Sequence, residues 1–271
     1  MKKCNYFKQH LCKLCNGSTR LRYAYLRLFL ECTQCGFIFS RRYNLKKLRL
    51  GMGMKGSWSG PGGGGYREYY LFNMLKNDLG MSSFLLYGTG NTPTFRTLLE
   101  DGYDVTGCDI SSYVIEYYRN LFGHDAFFSP EELPEKKKYD GIISVEVFEH
   151  FYEPKQNFEF LVRHLNNRGV ICGTTNFYPG GPIEDGNKPG YMSTRLHVAY
   201  WSEKSLSFLS DNHGLSVASF KMVRPGSVLP DERYGQLFRN KRVFFIYNPD
   251  VHEKYFENLK KRFSILPIDR P

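Results

Sequence analysis

Short apolar runs alternate with longer amphipathic stretches from residue 83 onwards. Near-continuous apolar runs are typical of strands in a parallel sheet, and the stretches between them have the spacing of helices with one buried face. The pattern therefore predicts an α/β domain with a doubly wound sheet that is covered on both sides. The predicted strands are 84–87, 104–108, 127–128, 139–145, 169–175, 215–223 and 243–247, and the predicted helices are 66–79, 93–100, 111–121 and 203–210. Pro93 suits a first helical turn, and Ser111 and Ser112 suit a helix cap.

Four cysteines near the amino terminus form two C-x2-C pairs separated by sixteen residues: Cys12, Cys15, Cys32 and Cys35. This is the spacing of two zinc knuckles, each of which places two thiolates on one side of a tight turn. Disulfides are the weaker alternative, because a total of seven cysteines leaves one thiol unpaired. We therefore predict a structural Zn²⁺ site with four cysteine ligands; Cys4 is a spare cysteine.

Composition and charge limit the class of protein. The chain of 271 residues is 41% hydrophobic and 16% aromatic, which suits a packed core. The absence of an apolar run near 18 residues, and of a secretory signal, predicts a soluble cytoplasmic protein without a membrane span. Residues 1–50 carry twelve Lys and Arg and one acid, +11, so the remainder carries 10 − 11 = −1. This basic segment is either a docking surface for a polyanion or a solvated face.

Glycine and proline mark the boundaries between the predicted domains. Eight of the fifteen residues 51–65 are glycine, a composition that is typical of a linker. We therefore predict a basic zinc ribbon in 1–50, a linker in 51–65 and the α/β domain in 66–271. Residues 176–197 are again rich in Gly and Pro and predict a lid-like loop over an acceptor pocket, or else a surface excursion. The candidate acceptor contacts in this loop are Tyr178, Tyr191 and Arg195.

Candidate chemistry lies where the first two predicted strands end. Gly88-Thr89-Gly90 follows the first strand, and glycines there let the backbone pass close to a ligand. Asp109 ends the next strand, nineteen residues after Gly90, where an acid can accept hydrogen bonds from both hydroxyls of a ribose. The alternative is a plain tight turn with a helix-capping aspartate.

Taken in order, these motifs resemble those of the class I S-adenosylmethionine-dependent methyltransferases, and more narrowly the bacterial-type members with an amino-terminal zinc ribbon. The resemblance adds to the ribbon and to Gly88-Thr89-Gly90 four further segments. They are Gly107-Cys108-Asp109-Ile110-Ser111, the "EVxEH" segment Ser144–His150, Leu165–Gly169 before the fifth strand, and the "HxxxYS" segment His197–Ser202. It implies a Rossmann-like seven-stranded sheet whose last strands are antiparallel.

The resemblance also implies roles for individual residues. Gly88, Thr89 and Gly90 would pass under the methionine part of S-adenosylmethionine, and Asp109 would hold the ribose. Ile110 would pack on the adenine, with Phe128, Ser129 and Pro130 at its edge. Ser144, Val145 and Glu146 would line the cleft near the sulfonium.

Two positions depart from the family's pattern. Leu86 stands where the family has an acid that helps to hold the cofactor's amino group, and Thr92 replaces a third glycine. We expect weaker binding, a substitute acid such as Glu146, or a degenerate, non-catalytic copy.

Methyl transfer from S-adenosylmethionine requires mainly that the protein align the acceptor with the methyl group and exclude water. A general base is needed only where the acceptor must lose a proton, and His150 and His197 are the candidates. Each has a structural alternative: His150 as a partner of backbone groups and His197 as an orienting residue of the lid. Glu149 is expected to be structural.

The sequence does not identify the methyl acceptor. We favour a small-molecule, sugar or lipid-linked acceptor. The alternatives are an RNA methyltransferase whose basic ribbon grips phosphates, and a non-catalytic zinc-ribbon protein that binds RNA or a protein partner.

Overall fold

The computed structural model describes residues 10–40, 65–178, 189–221 and 242–264. The spare Cys4, residues 51–64 of the predicted linker and residues 179–188 of the predicted lid lie outside this part. In chain order the strands are β1 Thr19–Ala24, β2 Arg27–Cys32, β3 Ile38–Ser40, β4 Ser83–Tyr87, β5 Asp104–Cys108, β6 Phe127–Phe128, β7 Tyr139–Val145, β8 Leu165–Thr175, β9 Ala199–Tyr200, β10 Ser216–Lys221 and β11 Arg242–Tyr247. The α-helices are α1 Gly65–Leu79, α2 Pro93–Glu100, α3 Ser112–Phe122, α4 Pro154–Arg163, α5 Pro189–Ser193, α6 Glu203–Asp211 and α7 Pro249–Ser264, and a 3₁₀ turn spans Phe148–His150.

The larger sheet confirms the predicted fold class. It has seven strands in the order β10-β11-β8-β7-β4-β5-β6. The pairs β4–β5, β5–β6, β4–β7 and β7–β8 are parallel, whereas β11 runs antiparallel to both β8 and β10. The chain leaves β4 towards β6 and then returns to the other side of β4 as β7. A doubly wound sheet binds ligands at such a reversal, outside the carboxyl ends of its strands.

Buried side chains cover both faces of this sheet, as the apolar strands predicted. Leu85 and Ile142 point into one core, together with Phe158 of α4. Leu86 and Ile143 alternate onto the opposite core, which includes Phe72 of α1. Because successive residues of a strand face opposite sides, two apolar layers require strands without regular polar positions.

The smaller sheet joins the cysteine-rich segment to the α/β part. Its order is β1-β2-β3-β9, and β9 pairs with β3 in the register Ile38↔Tyr200 and Phe39↔Ala199. Phe37 also packs on Trp201, with ring centroids 4.8 Å apart. The predicted ribbon is therefore completed by a strand that lies far along the chain, which the cysteine spacing did not indicate.

Two local predictions are corrected in detail. Ser111 is the N-cap residue of α3, as predicted, but its side chain makes no capping hydrogen bond, and its own N–H donates to the carboxylate of Asp109. The fifth predicted strand begins at Leu165 rather than at Gly169, so Leu165–Gly169 belongs to β8. There Tyr139 pairs with Leu165, and an irregularity follows before the Gly141–Val170 pair.

Candidate functional site

The turn after β4 is built around two glycines with left-handed backbone angles. Gly88 has φ +70° and Gly90 has φ +57°. A Cβ on Gly88 would lie 2.4 Å from Cγ2 of Val147, so this position excludes any side chain. The Thr89 hydroxyl donates to the Leu86 carbonyl at 2.7 Å and fixes the turn from within. The predicted GxG segment thus presents backbone rather than side chains at the carboxyl end of β4.

Asp109 organises the neighbouring loop. Its Oδ2 accepts the Gly90 N–H and its Oδ1 accepts the Ser111 N–H, both at 2.8 Å. The side chain is 6% exposed, and this burial raises its pKa, although the amide hydrogen bonds act in the opposite direction. Each carboxylate oxygen keeps a further lone pair beyond the amide that it accepts. Asp109 is therefore a structural link between β4 and β5 that can still accept hydrogen bonds from a ligand.

The end of β7 carries a strained acid. Glu146 follows Ser144 and Val145 and has φ +58°, a conformation that is uncommon for a residue with a side chain. Its Oε1 accepts the Thr174 hydroxyl at 2.8 Å and lies 3.0 Å from Nη1 of Arg67. The backbone at Glu146 thus turns its carboxylate towards α1 and β8.

The beginning of α1 brings two charged residues to this edge that the sequence analysis did not single out. Arg67 pairs with Glu146, and Glu68 accepts the Thr92 hydroxyl at 2.9 Å. Burial raises the pKa of Glu68 to about 8. Both side chains are buried here. The signal in the sequence that could have identified them is the adjacent pair of opposite charges at the start of a predicted amphipathic helix.

The remaining predicted cofactor residues also follow strands at this edge. Ile110 is half-buried after β5. Ser129 follows β6, but its hydroxyl and its N–H already donate to Oε2 of Glu132, at 2.7 and 3.0 Å. Leu86, at the position of the missing acid, is buried in the core.

Three buried polar atoms close to these loops have no hydrogen-bond partner among the described residues: Asn91 Nδ2, Ser111 Oγ and Ser144 Oγ. Asn91 follows β4, Ser111 follows β5 and Ser144 lies near the end of β7. The strand order reverses at these three strands. Buried polar atoms are normally satisfied, because an unmet hydrogen bond costs about 1–3 kcal/mol. This arrangement fits a polar ligand that spans the three strand ends.

The predicted histidines lie side by side. The ring centroids of His150 and His197 are 5.1 Å apart. Nδ1 of His150 lies 2.9 Å from the Leu196 carbonyl, and Nδ1 of His197 lies 2.9 Å from the Tyr191 carbonyl. Burial lowers the pKa of both imidazoles, that of His197 to about 4, so both are neutral near pH 7.

Glu149 lies beside the two histidines and is fully buried. Its Oε2 accepts the Thr175 hydroxyl at 3.1 Å, and Thr175 contacts the Tyr191 hydroxyl at the same distance. Burial raises the pKa of Glu149 to about 7. The structure therefore brings a carboxyl group to the predicted pair of candidate bases.

The described part of the predicted lid is not an open loop. It contains α5, and Tyr178 and Tyr191 pack with Phe29 and Tyr200 in a buried cluster between the lid and the small sheet. Arg195 is exposed. Of the three candidate acceptor contacts, Tyr191 is the one that reaches the Glu149 group, through Thr175.

The four predicted zinc ligands converge. Sγ of Cys12 lies 3.6 Å from that of Cys35, and Sγ of Cys15 lies 3.3 Å from that of Cys32. These distances exclude disulfides, whereas a tetrahedral ion about 2.3 Å from each sulfur would place the sulfurs about 3.8 Å apart. Backbone N–H groups of Leu14, Gly17 and Gln34 point at sulfur at 3.3 Å, and the side-chain hydrogen bond with Cys35 lowers the pKa of Cys12 to about 5. The donor set thus fits Zn²⁺.

The described basic residues of the small sheet are engaged within the protein. Arg20 and Arg22 pair with Glu31, and Lys13 pairs with Glu153. The Arg27 guanidinium donates to the carbonyls of Met192 and Thr194 at 2.6 Å, to that of His197 at 3.0 Å and to the Tyr200 hydroxyl at 3.1 Å. The other eight Lys and Arg of residues 1–50 lie outside the described ranges.

Comparisons with known proteins indicate the family and the fold. Residues 65–219 match a family described as a methyltransferase domain. The plantazolicin methyltransferase BamL, solved with a substrate analogue and S-adenosylhomocysteine, is similar in structure: the TM-score is 0.50 at 15% identity, over 75% of this chain and 91% of that chain. At that identity the likeness shows the fold alone.

Two further solved structures are more distant. A chain of the Haloferax volcanii complex containing the Trm112 methyltransferase activator has a TM-score of 0.46 at 18% identity, over 78% of this chain and 100% of that chain. The Synechocystis magnesium protoporphyrin IX methyltransferase with bound S-adenosylmethionine has a TM-score of 0.43 at 17% identity, over 67% and 78%. No curated protein matches the chain. No helix in the described ranges combines the length and apolar character of a membrane span.

Proposed function

The chain belongs to the methyltransferase-domain family, and from this premise we propose that it transfers a methyl group from S-adenosylmethionine to a small-molecule, sugar or lipid-linked acceptor. More narrowly, we assign it to the bacterial-type members with a zinc ribbon and an "EVxEH" segment. The observation that carries the proposal is the set of unpartnered polar atoms of Asn91, Ser111 and Ser144, which lie at or after the carboxyl ends of β4, β5 and β7, where the strand order reverses. A nucleoside with an amino-acid tail has the hydrogen-bonding groups that such an edge leaves unmet.

We assign the nucleoside end of the cofactor to the loops after β4, β5 and β6. The Gly88 and Gly90 backbone passes under the methionine part, and a side chain at Gly88 is excluded by its clash with Val147. Asp109 accepts the ribose hydroxyls with the lone pairs that Gly90 and Ser111 leave free. Ile110 packs on the adenine, and the backbone at Ser129 lines its edge.

We assign the amino-acid end to the beginning of α1 and the end of β7. Leu86 removes the acid that the family has at this point, and two other acids lie at this edge of the sheet: Glu146, paired with Arg67, and Glu68, which accepts the Thr92 hydroxyl. Glu146 is partly exposed and pairs with Arg67, whereas Glu68 is buried and this burial raises its pKa to about 8. Glu146 is therefore the better partner for the cofactor's ammonium group, and Ser144 and Val145 line the cleft beside it.

The acceptor side is formed by His150, His197 and the lid. The sulfonium is already an activated donor, so the protein mainly aligns the acceptor with the methyl group and excludes water. A carbonyl oxygen only accepts hydrogen bonds, so Nδ1 of each histidine carries the hydrogen and Nε2 keeps its lone pair. Either Nε2 can accept a proton from a hydroxyl acceptor.

The zinc ribbon has a structural role in this proposal. A site with four cysteine ligands leaves no open position for water or substrate. The ribbon contacts the acceptor side directly, since Arg27 binds the carbonyls of Met192, Thr194 and His197. We therefore propose that zinc holds the ribbon, and that the ribbon closes the acceptor site.

An RNA acceptor depends on free basic side chains in residues 1–50. Lys13, Arg20, Arg22 and Arg27, the four basic residues of this segment in the described ranges, are engaged within the protein, and among the described residues this favours the small acceptor. Salt-dependent retention of generic RNA at low ionic strength would support the alternative.

Titration calorimetry with S-adenosylmethionine and S-adenosylhomocysteine tests the cofactor proposal. Asp109→Ala removes a charged acceptor, which corresponds to about 1.5–3 kcal/mol, or about 10- to 150-fold in Kd. Asp104→Asn is the matched control, because Asp104 is exposed at the opposite end of the same strand. Binding that is absent in the wild type, or unchanged in Asp109→Ala, would contradict the assignment.

A further inference from the structure

Three side chains on the acceptor side form a compact group of metal-ligand types. Glu149, His150 and His197 each offer one ligand atom, and these atoms all lie within 4.8 Å of one another. An ion about 2.1 Å from each of them would draw them to about 3–3.6 Å apart, so side-chain movements of about an ångström close the set. We propose that Glu149, His150 and His197 bind a divalent transition-metal ion, at a site separate from the four cysteines.

The imidazoles are already oriented as ligands. The Nδ1 atoms of His150 and His197 face the Leu196 and Tyr191 carbonyls at 2.9 Å. This leaves Nε2 of each ring with a free lone pair. Metal-bound histidines almost always donate their other N–H to such an acceptor, which fixes the ring and strengthens the ligand. The two rings are neighbours with centroids 5.1 Å apart, so both free lone pairs belong to one group of side chains.

Glu149 supplies an oxygen without a partner. Its Oε2 accepts from Thr175, but Oε1 is buried and has no hydrogen-bond partner among the described residues. The side chain is fully buried. A buried carboxylate oxygen needs a cation or a donor, because leaving it unmet costs more than for a neutral group. A metal ion shared with the two imidazoles meets that need.

The backbone holds the three ligands together. The Val198 N–H donates to the Glu149 carbonyl at 2.8 Å, which ties the segment after His197 to the 3₁₀ turn that carries Glu149 and His150. The His197 carbonyl accepts from Arg27, and the ring of Tyr191 lies 4.4 Å from that of His197. The site is therefore preorganised by contacts outside the ligands themselves.

The donor set indicates the class of ion. Two imidazoles and one carboxylate suit Mn²⁺, Fe²⁺ or Zn²⁺ and leave coordination positions open, whereas thiolates select Zn²⁺. Three protein ligands leave a coordination position for an acceptor oxygen next to the proposed methyl donor. Asp109, which we assign to the ribose of that donor, acts electrostatically on His150. With the ion bound, both Nε2 atoms are ligands, so the proposed role of the two histidines as proton acceptors applies only to the metal-free protein.

The test is a Mn²⁺ titration of protein prepared with one zinc per chain, which elemental analysis verifies. The electron paramagnetic resonance signal of free Mn²⁺ reports binding, and neither cofactor nor acceptor is present, so the result is independent of methyl transfer. We expect one Mn²⁺ per chain in the wild type. Glu149→Gln and His197→Gln should each weaken its affinity at least about tenfold.

His164→Gln is the matched control. His164 is also buried with Nδ1 close to a carbonyl, that of Phe160 at 2.8 Å, but it belongs to neither of the two clusters of metal-ligand residues in the described ranges. This variant should bind Mn²⁺ like the wild type, and thermal unfolding verifies that each variant is folded. The proposal is overturned if the wild type binds no Mn²⁺ at millimolar concentration, or if folded His197→Gln or Glu149→Gln keeps the wild-type affinity.

Discussion

Arg27 connects the ribbon to the acceptor side, and its replacement tests whether that connection stabilises the protein. The guanidinium makes four hydrogen bonds to residues 192–200 and also lies 5.2 Å from the Phe29 ring centroid. In Arg27→Lys the charge remains, but a single ammonium replaces the planar fork and cannot reach all four acceptors. At about 1 kcal/mol for each of two or three lost hydrogen bonds, the free energy of unfolding should fall by about 2–3 kcal/mol.

The assay is thermal unfolding followed by circular dichroism. For a chain of this size about 1 kcal/mol corresponds to about 2–4 °C, so Tm should fall by about 4–12 °C. Arg20→Lys is the control, because the Arg20 side chain is 53% exposed and pairs with Glu31 on the surface. Such an exposed pair contributes about 1 kcal/mol at most, so this variant should lose no more than about 4 °C.

A second measurement locates the effect. Hydrogen exchange of the amides in residues 196–200 should accelerate in Arg27→Lys and stay unchanged in Arg20→Lys, because Arg27 holds the carbonyl of His197. Equal losses of Tm in the two variants, or unchanged exchange in Arg27→Lys, would refute the conclusion that Arg27 anchors the lid.

Two further outcomes follow from single contacts. Purified protein should contain about one zinc per chain, and the double variant Cys12→Ser with Cys32→Ser should lose it. The control Cys172→Ala, which removes a buried thiol of β8, should retain the zinc. Zinc retained by the double variant would place the metal elsewhere. Burial acts to raise the pKa of Asp140, but hydrogen bonds from Asn166, Ser82 and Ser83 lower it below its ordinary value of 3.8. The ionised Asp140 therefore stabilises the folded state above pH 3.8, and this stabilisation is lost as the pH falls through the folded-state pKa. Chemical unfolding of Asp140→Asn should therefore show a larger loss at pH 7 than near pH 3, and a loss that does not change with pH would contradict this reasoning.

Where local chemistry determines an element, the sequence predicted it closely. The helix Pro93–Glu100 begins and ends as predicted, because the Thr92 hydroxyl caps it and proline occupies its first turn. The strand Asp104–Cys108 is also as predicted, since its apolar positions face buried layers on both sides. The loops that follow these strands meet at one edge because parallel strands share a direction, and this brings Gly90 to Asp109.

Contacts between distant segments could not be predicted in the same way. The pairing of Ile38 with Tyr200 and the approach of His150 to His197 depend on where residues 197–200 lie relative to β3 and to the 3₁₀ turn. The burial of Arg67 and Glu68 depends on α1 lying against the strand ends, which the amphipathic pattern of the helix alone does not specify. Ser111 occupies the N-cap position as its residue type predicts, but its hydroxyl makes no capping hydrogen bond, and Asp109 fixes the backbone there by accepting the Ser111 N–H.

Val198 shows how the small sheet and the acceptor side depend on each other. Its carbonyl accepts the Ser40 N–H and its own N–H donates to the Glu149 carbonyl, both at 2.8 Å. One peptide segment therefore joins β3 to the turn that carries Glu149 and His150, and His197 immediately precedes it. Because β3 follows the second cysteine pair directly, we expect a loss of order at the cysteines to weaken the two hydrogen bonds of Val198. That change would disturb the proposed metal ligands Glu149, His150 and His197. In the proposed function the ribbon is therefore a wall of the acceptor site, through the position in which it holds His197.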